Sequence, residues 1–255
     1  MIRIKTKEDI DILREGGKRH AWILKEIAAM VKPGIHIRDL DRRAAELIAE
    51  GGDTAAFLNY KPKGSPRPYP STLCVSINDE IVHGIPTEGD KVLYEGDIVS
   101  LDLGLVHKKM VTDTAVTVAV GKIAPELEQL LRVTKEALMA GIKAAKGGKR
   151  VGDIGNAIQT VAAPYGYGIV EELAGHGVGY AVHEDPYIPN YGQPGKGEML
   201  KPGMVIAIEP MFNIGSKDIF LDADGYTYRT DDGSMSAHFE HTVLITKSGA
   251  EILTQ

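Results

Sequence analysis

The sequence predicts an α+β fold of two similar halves, in which helices cover a curved antiparallel sheet. Three observations predict it. Residues 98–118, IVSLDLGLVHKKMVTDTAVTV, alternate apolar and polar side chains on either side of a short polar turn, the pattern of a β-hairpin. That hairpin is echoed later in the chain. GDIVSLDLG at 96–104 matches GMVIAIEPM at 203–211, and TDTAVTV at 112–118 matches FEHTVLI at 239–245. A pair of helical segments precedes each version, so the repeat extends to the order of elements.

The first helix covers residues 7–31, with Ile10, Leu13, Trp22, Ile23, Ile27 and Met30 in helical rhythm. Gly16-Gly17 is expected to interrupt it, and Lys32-Pro33-Gly34 ends it. A second helix over 39–50 buries Leu40, Ala44, Leu47 and Ile48 and stops at Gly51-Gly52. The proline-rich stretch from Lys61 to Pro70 is an irregular loop. A strand over 72–78 follows, then a turn at His83-Gly84-Ile85-Pro86, then the hairpin.

In the second half the helices span 125–145 and 151–163, punctuated by Gly147-Gly148. Gly34, Ile37, Asp39 and Leu40 correspond at one offset to Gly148, Val151, Asp153 and Ile154. A strand at 169–173 leads into GHGVG at 175–179 and VHEDP at 182–186. Asp224-Gly225, a hairpin dipeptide, lies midway between Glu209 and Glu240. The chain divides into halves of about 1–120 and 121–255, forming one catalytic domain.

Composition narrows the function. A net charge of −6 without a long basic run argues against a nucleic-acid surface. One cysteine, Cys74, rules out an internal disulfide framework and suits a reducing compartment. The charged start MIRIKTKEDID is no secretory leader, and no apolar run approaches the roughly 20 residues of a membrane span. These features predict a soluble, cytoplasmic protein with no membrane or nucleic-acid partner.

The chemistry is carried by acids on strands. Asp102 and Asp113 stand symmetrically about His107-Lys108, and a simple hairpin sets such residues directly opposite each other. Aligning the repeats sets Glu209 on Asp102 and Glu240 on Asp113. A carboxylate buried in an apolar run such as MVIAIEPM is costly unless paired, and opposed carboxylates ask for a cation. Four acids with a histidine in a glycine-rich turn form an oxygen-rich set suited to Mn²⁺, Co²⁺, Fe²⁺ or Zn²⁺. Four carboxylates favour two ions about 3.5–4 Å apart and hydrolysis by an activated water. His20, His36 and His107 are read as ordinary hydrogen-bonding residues, and His241 should face away from Glu240 along its strand.

INDEIVHGIP, GDIVSLDLG, DTAVTVAVG, AGHGVGYAVHEDP, LKPGMVIAIEPM and SMSAHFEHTVLIT, in this order, resemble the type I methionine aminopeptidases of the duplicated pita-bread fold. The resemblance covers nearly the whole chain and implies two divalent ions (Co, Mn, Fe(II) or Zn) held by Asp102, Asp113, His176, Glu209 and Glu240. It makes Asp113 and Glu240 bridging ligands and Glu209 also the general base. His83 would contact the scissile amide nitrogen and His183 the carbonyl oxygen. Tyr69, Cys74 and Tyr226 stand at the positions of a methionine pocket. The implied partners are nascent polypeptide N-termini, with ribosome association left open, and the implied state is a monomer.

Four departures surround the pocket. Tyr226 replaces the usual tryptophan, His238 a glutamine and Val182 an aromatic, and the Lys61 to Pro70 loop is longer and richer in proline. Three other readings compete. Proline-specific aminopeptidases and prolidases share the metal site but carry a large extra N-terminal domain, whereas here the first fold motif starts at the N-terminus. Type II methionine aminopeptidases need an insertion for which the Glu209 to Glu240 interval has no room. A catalytically inactive pita-bread binding module would have lost ligands that are all present here.

Overall fold

Helix α1 (Lys7–Ala29) starts at a capping box: the Thr6 hydroxyl accepts from the Asp9 N–H, and the Asp9 carboxylate accepts from the Thr6 N–H. The computed structural model describes residues 2–62, 64–65 and 67–255, so Lys63 and Pro66 of the predicted loop lie outside the described residues. Gly16-Gly17 does not interrupt α1, contrary to the sequence-based expectation. A Cβ on Gly17 would lie 2.2 Å from the Leu253 carbonyl oxygen, and one on Gly16 2.8 Å from the His107 Cβ. Each glycine costs a helix about 1 kcal/mol, and here the pair lets α1 lie directly on the chain end and the hairpin tip. Helix α2 (Ile37–Glu50) begins two residues before its expected start.

The first-half strands are β1 (Thr54–Ala55), β2 (Leu73–Ile77), β3 (Glu80–Val82), β4 (Ile98–His107) and β5 (Met110–Ala119). Strand β4 pairs with β5 on one edge and with β1 and β2 on the other. The β4–β5 turn is Lys108-Lys109, with φ of 46° and 73°, because two positive φ values match the twist of a two-residue hairpin. The hairpin centre therefore sits one residue beyond the expected one. Asp102 faces Ala115 and Asp113 faces Gly104, so the two acids are diagonal neighbours on one face, not directly opposite.

The second half contains α3 (Pro125–Ala144) and α4 (Val151–Ala162), followed by β6 (Gly168–Ile169), β7 (Gly175–Gly177), β8 (Glu184–Ile188) and β9 (Val205–Ile208). Then come β10 (Met211–Asn213), β11 (Ile219–Leu221), β12 (Tyr228–Thr230), β13 (Ser236–His238), β14 (His241–Ile245) and β15 (Ala250–Ile252). The strand expected at 169–173 shrinks to β6, which pairs with β10 only through Gly168 and Ile169. Asp224-Gly225 turns the chain between β11 and β12, not between the two glutamate strands themselves. Among the described residues no helix is long and apolar enough to cross a membrane.

The internal repeat is visible in the backbone hydrogen bonds. Gly34 and Gly148 both have φ of 87°, and their N–H groups donate to Leu93 and Leu200 at 2.8 and 2.9 Å. Ile37 and Val151 donate to Lys91 and Glu198 at 3.1 and 3.0 Å, and Gly96 and Gly203 to Val120 and Ile245 at 3.0 and 2.9 Å.

Two helices cover one face of each half. Ile23, Ile27, Leu40 and Leu47 pack on Val99, Leu101, Leu103 and Leu105 of β4. Leu130, Val133, Ile154 and Ile158 pack on Ile206, Ile208, Val243 and Ile245. Fully burying a leucine or isoleucine stabilises by roughly 1.5–3 kcal/mol, so these residues fix which strand face points inward. Alternation then forces Asp102, Glu209 and Glu240 onto the helix-free face.

The five-stranded sheet β8-β7-β9-β14-β15 meets the first sheet where β5 runs beside residues 238–242. The Glu240 N–H donates to the Ala115 carbonyl at 2.9 Å. Threonines make further links. The Thr242 hydroxyl accepts from the Asp113 N–H at 2.8 Å and donates to the Asp113 carbonyl at 2.7 Å. Thr117 repeats the pattern with His238, and the Thr114 hydroxyl donates to the Glu240 carbonyl.

Candidate metal centre

The acids converge at this junction. Asp113, His176 and Glu240 each offer one donor atom within 4.8 Å of the others, and all three are buried in their surroundings. His176 Nε2 lies 3.4 Å from Glu209 Oε1 and 3.9 Å from Asp113 Oδ2. Asp102 is the diagonal neighbour of Asp113 on the same strand face. Glu209 and Glu240 are the next residues beyond the Ile208↔His241 pair that ends the β9–β14 ladder. All five line one cavity of about 510 Å³.

Local hydrogen bonds aim these groups. The His176 Nδ1 pairs with the Gly177 carbonyl at 3.0 Å, so Nδ1 carries the proton and Nε2 turns a lone pair towards the acids. Asn190 donates to the Glu209 carbonyl at 3.0 Å and holds the chain where β9 ends.

Burial dominates the electrostatics. It raises the Asp102 carboxyl to about 7 and the Glu209 carboxyl to about 8. Asp113 and Glu240 are pushed well up as well, first by burial and then by neighbouring carboxylates. Burial lowers His176 to about 3 and His83 to about 4, so both imidazoles are neutral. Asp102 Oδ1, Asp113 Oδ1 and Glu240 Oε1 are buried without a hydrogen-bond partner among the described residues. Unpartnered carboxylate oxygens facing a neutral imidazole are complementary to divalent cations, which bind the deprotonated acids and the free nitrogen.

The remaining predicted residues surround this cluster. His83 lines the cavity with φ of 61°, at the turn after β3. A Cβ on the next residue, Gly84, would sit 2.2 Å from the Val75 carbonyl oxygen, so only glycine lets the turn lie against β2. The Tyr69 hydroxyl donates to the Gly84 carbonyl at 2.8 Å and braces the same turn. His183 stands edge-on to His176, with ring centroids 4.5 Å apart. Tyr69, Cys74 and Tyr226 form the apolar wall, with the two tyrosine rings edge to face at 5.2 Å. Burial and nearby Asp102 push the Cys74 thiol well up, which makes it an inert lining group.

His20, His36 and His107 are hydrogen-bonded to Thr112, Asp90 and Asp53 respectively, as read from the sequence. His241 pairs with Thr254 at 3.0 Å, away from the cavity. Val182 is buried beside the pocket wall. Sequence reasoning missed Tyr60 and Phe57, which also line the cavity. The Tyr60 hydroxyl is 2.9 Å from His183 Nδ1, and only its place just before the proline-rich loop hinted at a role.

Residues 11–247 match the model of metallopeptidase family M24. The chain is 45% identical to the methionine aminopeptidase of Aquifex aeolicus over 258 residues, covering 100% of this chain and 99% of that one. The structure superposes on the crystal structure of methionine aminopeptidase from Thermotoga maritima with a TM-score of 0.95 at 43% identity, covering 100% of both chains. The prolidase from Pyrococcus furiosus gives 0.76 at 26% identity, and the match covers 99% of this chain but only 65% of the prolidase. The halves, the helix-covered sheet and these neighbours define the pita-bread fold. The chain belongs to metallopeptidase family M24, among the type I methionine aminopeptidases.

Proposed function

We propose that this enzyme removes the initiator methionine from nascent proteins and peptides whose second residue is small, acting as one catalytic domain with halves of about 1–120 and 121–255. The observation that carries this reading is the buried cluster of four carboxyls and a neutral imidazole, open on one side to an apolar pocket. Asp102, Asp113, His176, Glu209 and Glu240 would hold two divalent ions from the group Co, Mn, Fe(II) and Zn. Such ions supply an activated water at neutral pH and polarise the carbonyl under attack.

The protein's own groups do the rest. Tyr69, Cys74 and Tyr226, with Phe57 beside them, offer a closed apolar surface for an unbranched thioether side chain. Glu209 takes the proton of the attacking water, a role suited to a carboxylate that lines the cavity with Oε1 3.4 Å from His176 Nε2. His83 and His183 line the same cavity and serve the scissile amide nitrogen and the developing oxyanion. The Tyr60 hydroxyl at His183 Nδ1 fixes that ring's orientation. We assign the enzyme to the cytoplasm, as a monomer acting on free N-termini.

The test is Glu209→Gln. It should remove most turnover on a Met-Ala-Ser peptide while the far-UV circular dichroism spectrum is unchanged. Near-normal turnover in that variant would refute the role of Glu209.

A further inference from the structure

One buried titratable side chain near the cluster has no task in the mechanism above. His238 is 1% exposed, and among the described residues neither ring nitrogen has a hydrogen-bond partner. Leaving a buried polar group unpaired costs about 1–3 kcal/mol, so a histidine kept there calls for a reason. Its backbone is pinned from two sides. The His238 N–H donates to the Thr117 hydroxyl at 2.9 Å, that hydroxyl donates to the His238 carbonyl at 2.7 Å, and β13 pairs His238 with Met211 of β10. The ring therefore has little freedom to leave its place beside Glu209.

From that fixed position Nε2 is 3.6 Å from Glu209 Oε2. The other oxygen, Oε1, is the one 3.4 Å from His176 Nε2. Glu209 is thus flanked by two imidazoles, one on each oxygen. His176 offers Nε2 as a lone pair, because Nδ1 is engaged with Gly177. No such bond fixes the tautomer of His238, so its Nε2 is free to carry the proton. The resemblance to the family sets a glutamine at this position, whose side-chain N–H₂ can donate in the same way.

We propose that His238 is a positioning residue for Glu209: its Nε2–H closes the 3.6 Å gap onto Oε2 and holds the carboxylate with Oε1 facing the metal-ligand cluster. This inference rests on the reading of Glu209 as ligand and base. It also explains why a histidine is tolerated in a glutamine's place. Both deliver one N–H to the same oxygen, whereas an apolar side chain of similar volume delivers none.

The test compares His238→Met, His238→Gln and Glu209→Gln as Mn²⁺- and Co²⁺-loaded proteins, with metal binding followed by isothermal titration. Removing an outer hydrogen bond to a metal ligand typically costs about 10–100-fold, so His238→Met should lower kcat by that factor with KM little changed and should weaken Mn²⁺ binding. His238→Gln should recover most of the loss, and the visible absorption bands of bound Co²⁺ should match those of the parent protein. Parent-like kcat and Mn²⁺ affinity in His238→Met would overturn the inference. So would failure of rescue by glutamine together with altered Co²⁺ bands, which would make His238 a metal ligand. Retained turnover in Glu209→Gln would instead refute the underlying role of Glu209.

Discussion

Thr242→Val tests whether the two halves are joined at the metal centre by side-chain hydroxyls. The Thr242 hydroxyl is the partner of both the Asp113 N–H and the Asp113 carbonyl, and Thr242 is fully buried. Valine keeps the shape and the strand preference. It strands one buried donor and one buried acceptor, at about 1–3 kcal/mol each, and gains about 0.8 kcal/mol for the added methyl. The net loss is about 3 kcal/mol. For a chain of this size each kcal/mol moves Tm by roughly 2–4 °C, so the melting temperature should fall by roughly 6–12 °C. Urea unfolding of metal-stripped protein, followed by far-UV circular dichroism, should show a lower midpoint at an unchanged slope. Because Asp113 is held by this bridge, Mn²⁺ affinity should fall too. A melting temperature within about 2 °C of the parent would show that the hydroxyl bridge does not join the halves.

Two further outcomes follow from the site. In metal-free protein the folded-state carboxyls of Asp102 and Glu209 are raised to about 7 and about 8, whereas unfolded carboxyls titrate near about 4. Their stabilising contribution is present below that unfolded value and is lost as pH rises to about 8. Melting curves in a chelator should thus fall from pH 5 to 8, and Mn²⁺ should abolish most of the fall. A chelated protein more stable at pH 8 than at pH 5 would show that these carboxyls are not raised in the folded state. His83→Ala should lower kcat without changing metal content by atomic absorption, since His83 lines the cavity and lies outside the converging donor trio. Loss of metal from that variant would make His83 a ligand.

The sequence revealed the acids because period-two alternation is strict: a carboxylate in MVIAIEPM has to go to one face or the other. The repeat was legible for a similar reason, since Gly34 and Gly148 need the same positive φ and Gly96 and Gly203 make the same bond. Register was harder. The turn at Lys108-Lys109 follows twist, and nothing in the pair KK announces positive φ, so Asp102 and Asp113 were expected opposite and proved diagonal. Gly16-Gly17 looked like a break because helix propensity is local, while the close approach of Leu253 that requires glycine is not. Thr242 and Thr117 escaped notice because their partners lie 129 and 121 residues away. Tyr60 and His238 escaped a role because an aromatic before a loop and a buried imidazole acquire meaning only from what stands beside them.

Once loaded with metal, this cluster should release methionine from a peptide N-terminus. The most direct measurement is mass spectrometry of a mixture of Met-Ala-Ser, Met-Lys-Ser and Ala-Pro-Ser peptides incubated with metal-stripped protein before and after adding Mn²⁺ or Co²⁺. Loss of methionine from Met-Ala-Ser, only with metal present and with the other two peptides intact, is the expected outcome. Cleavage of Ala-Pro-Ser, or no cleavage with any of the metals, would contradict it.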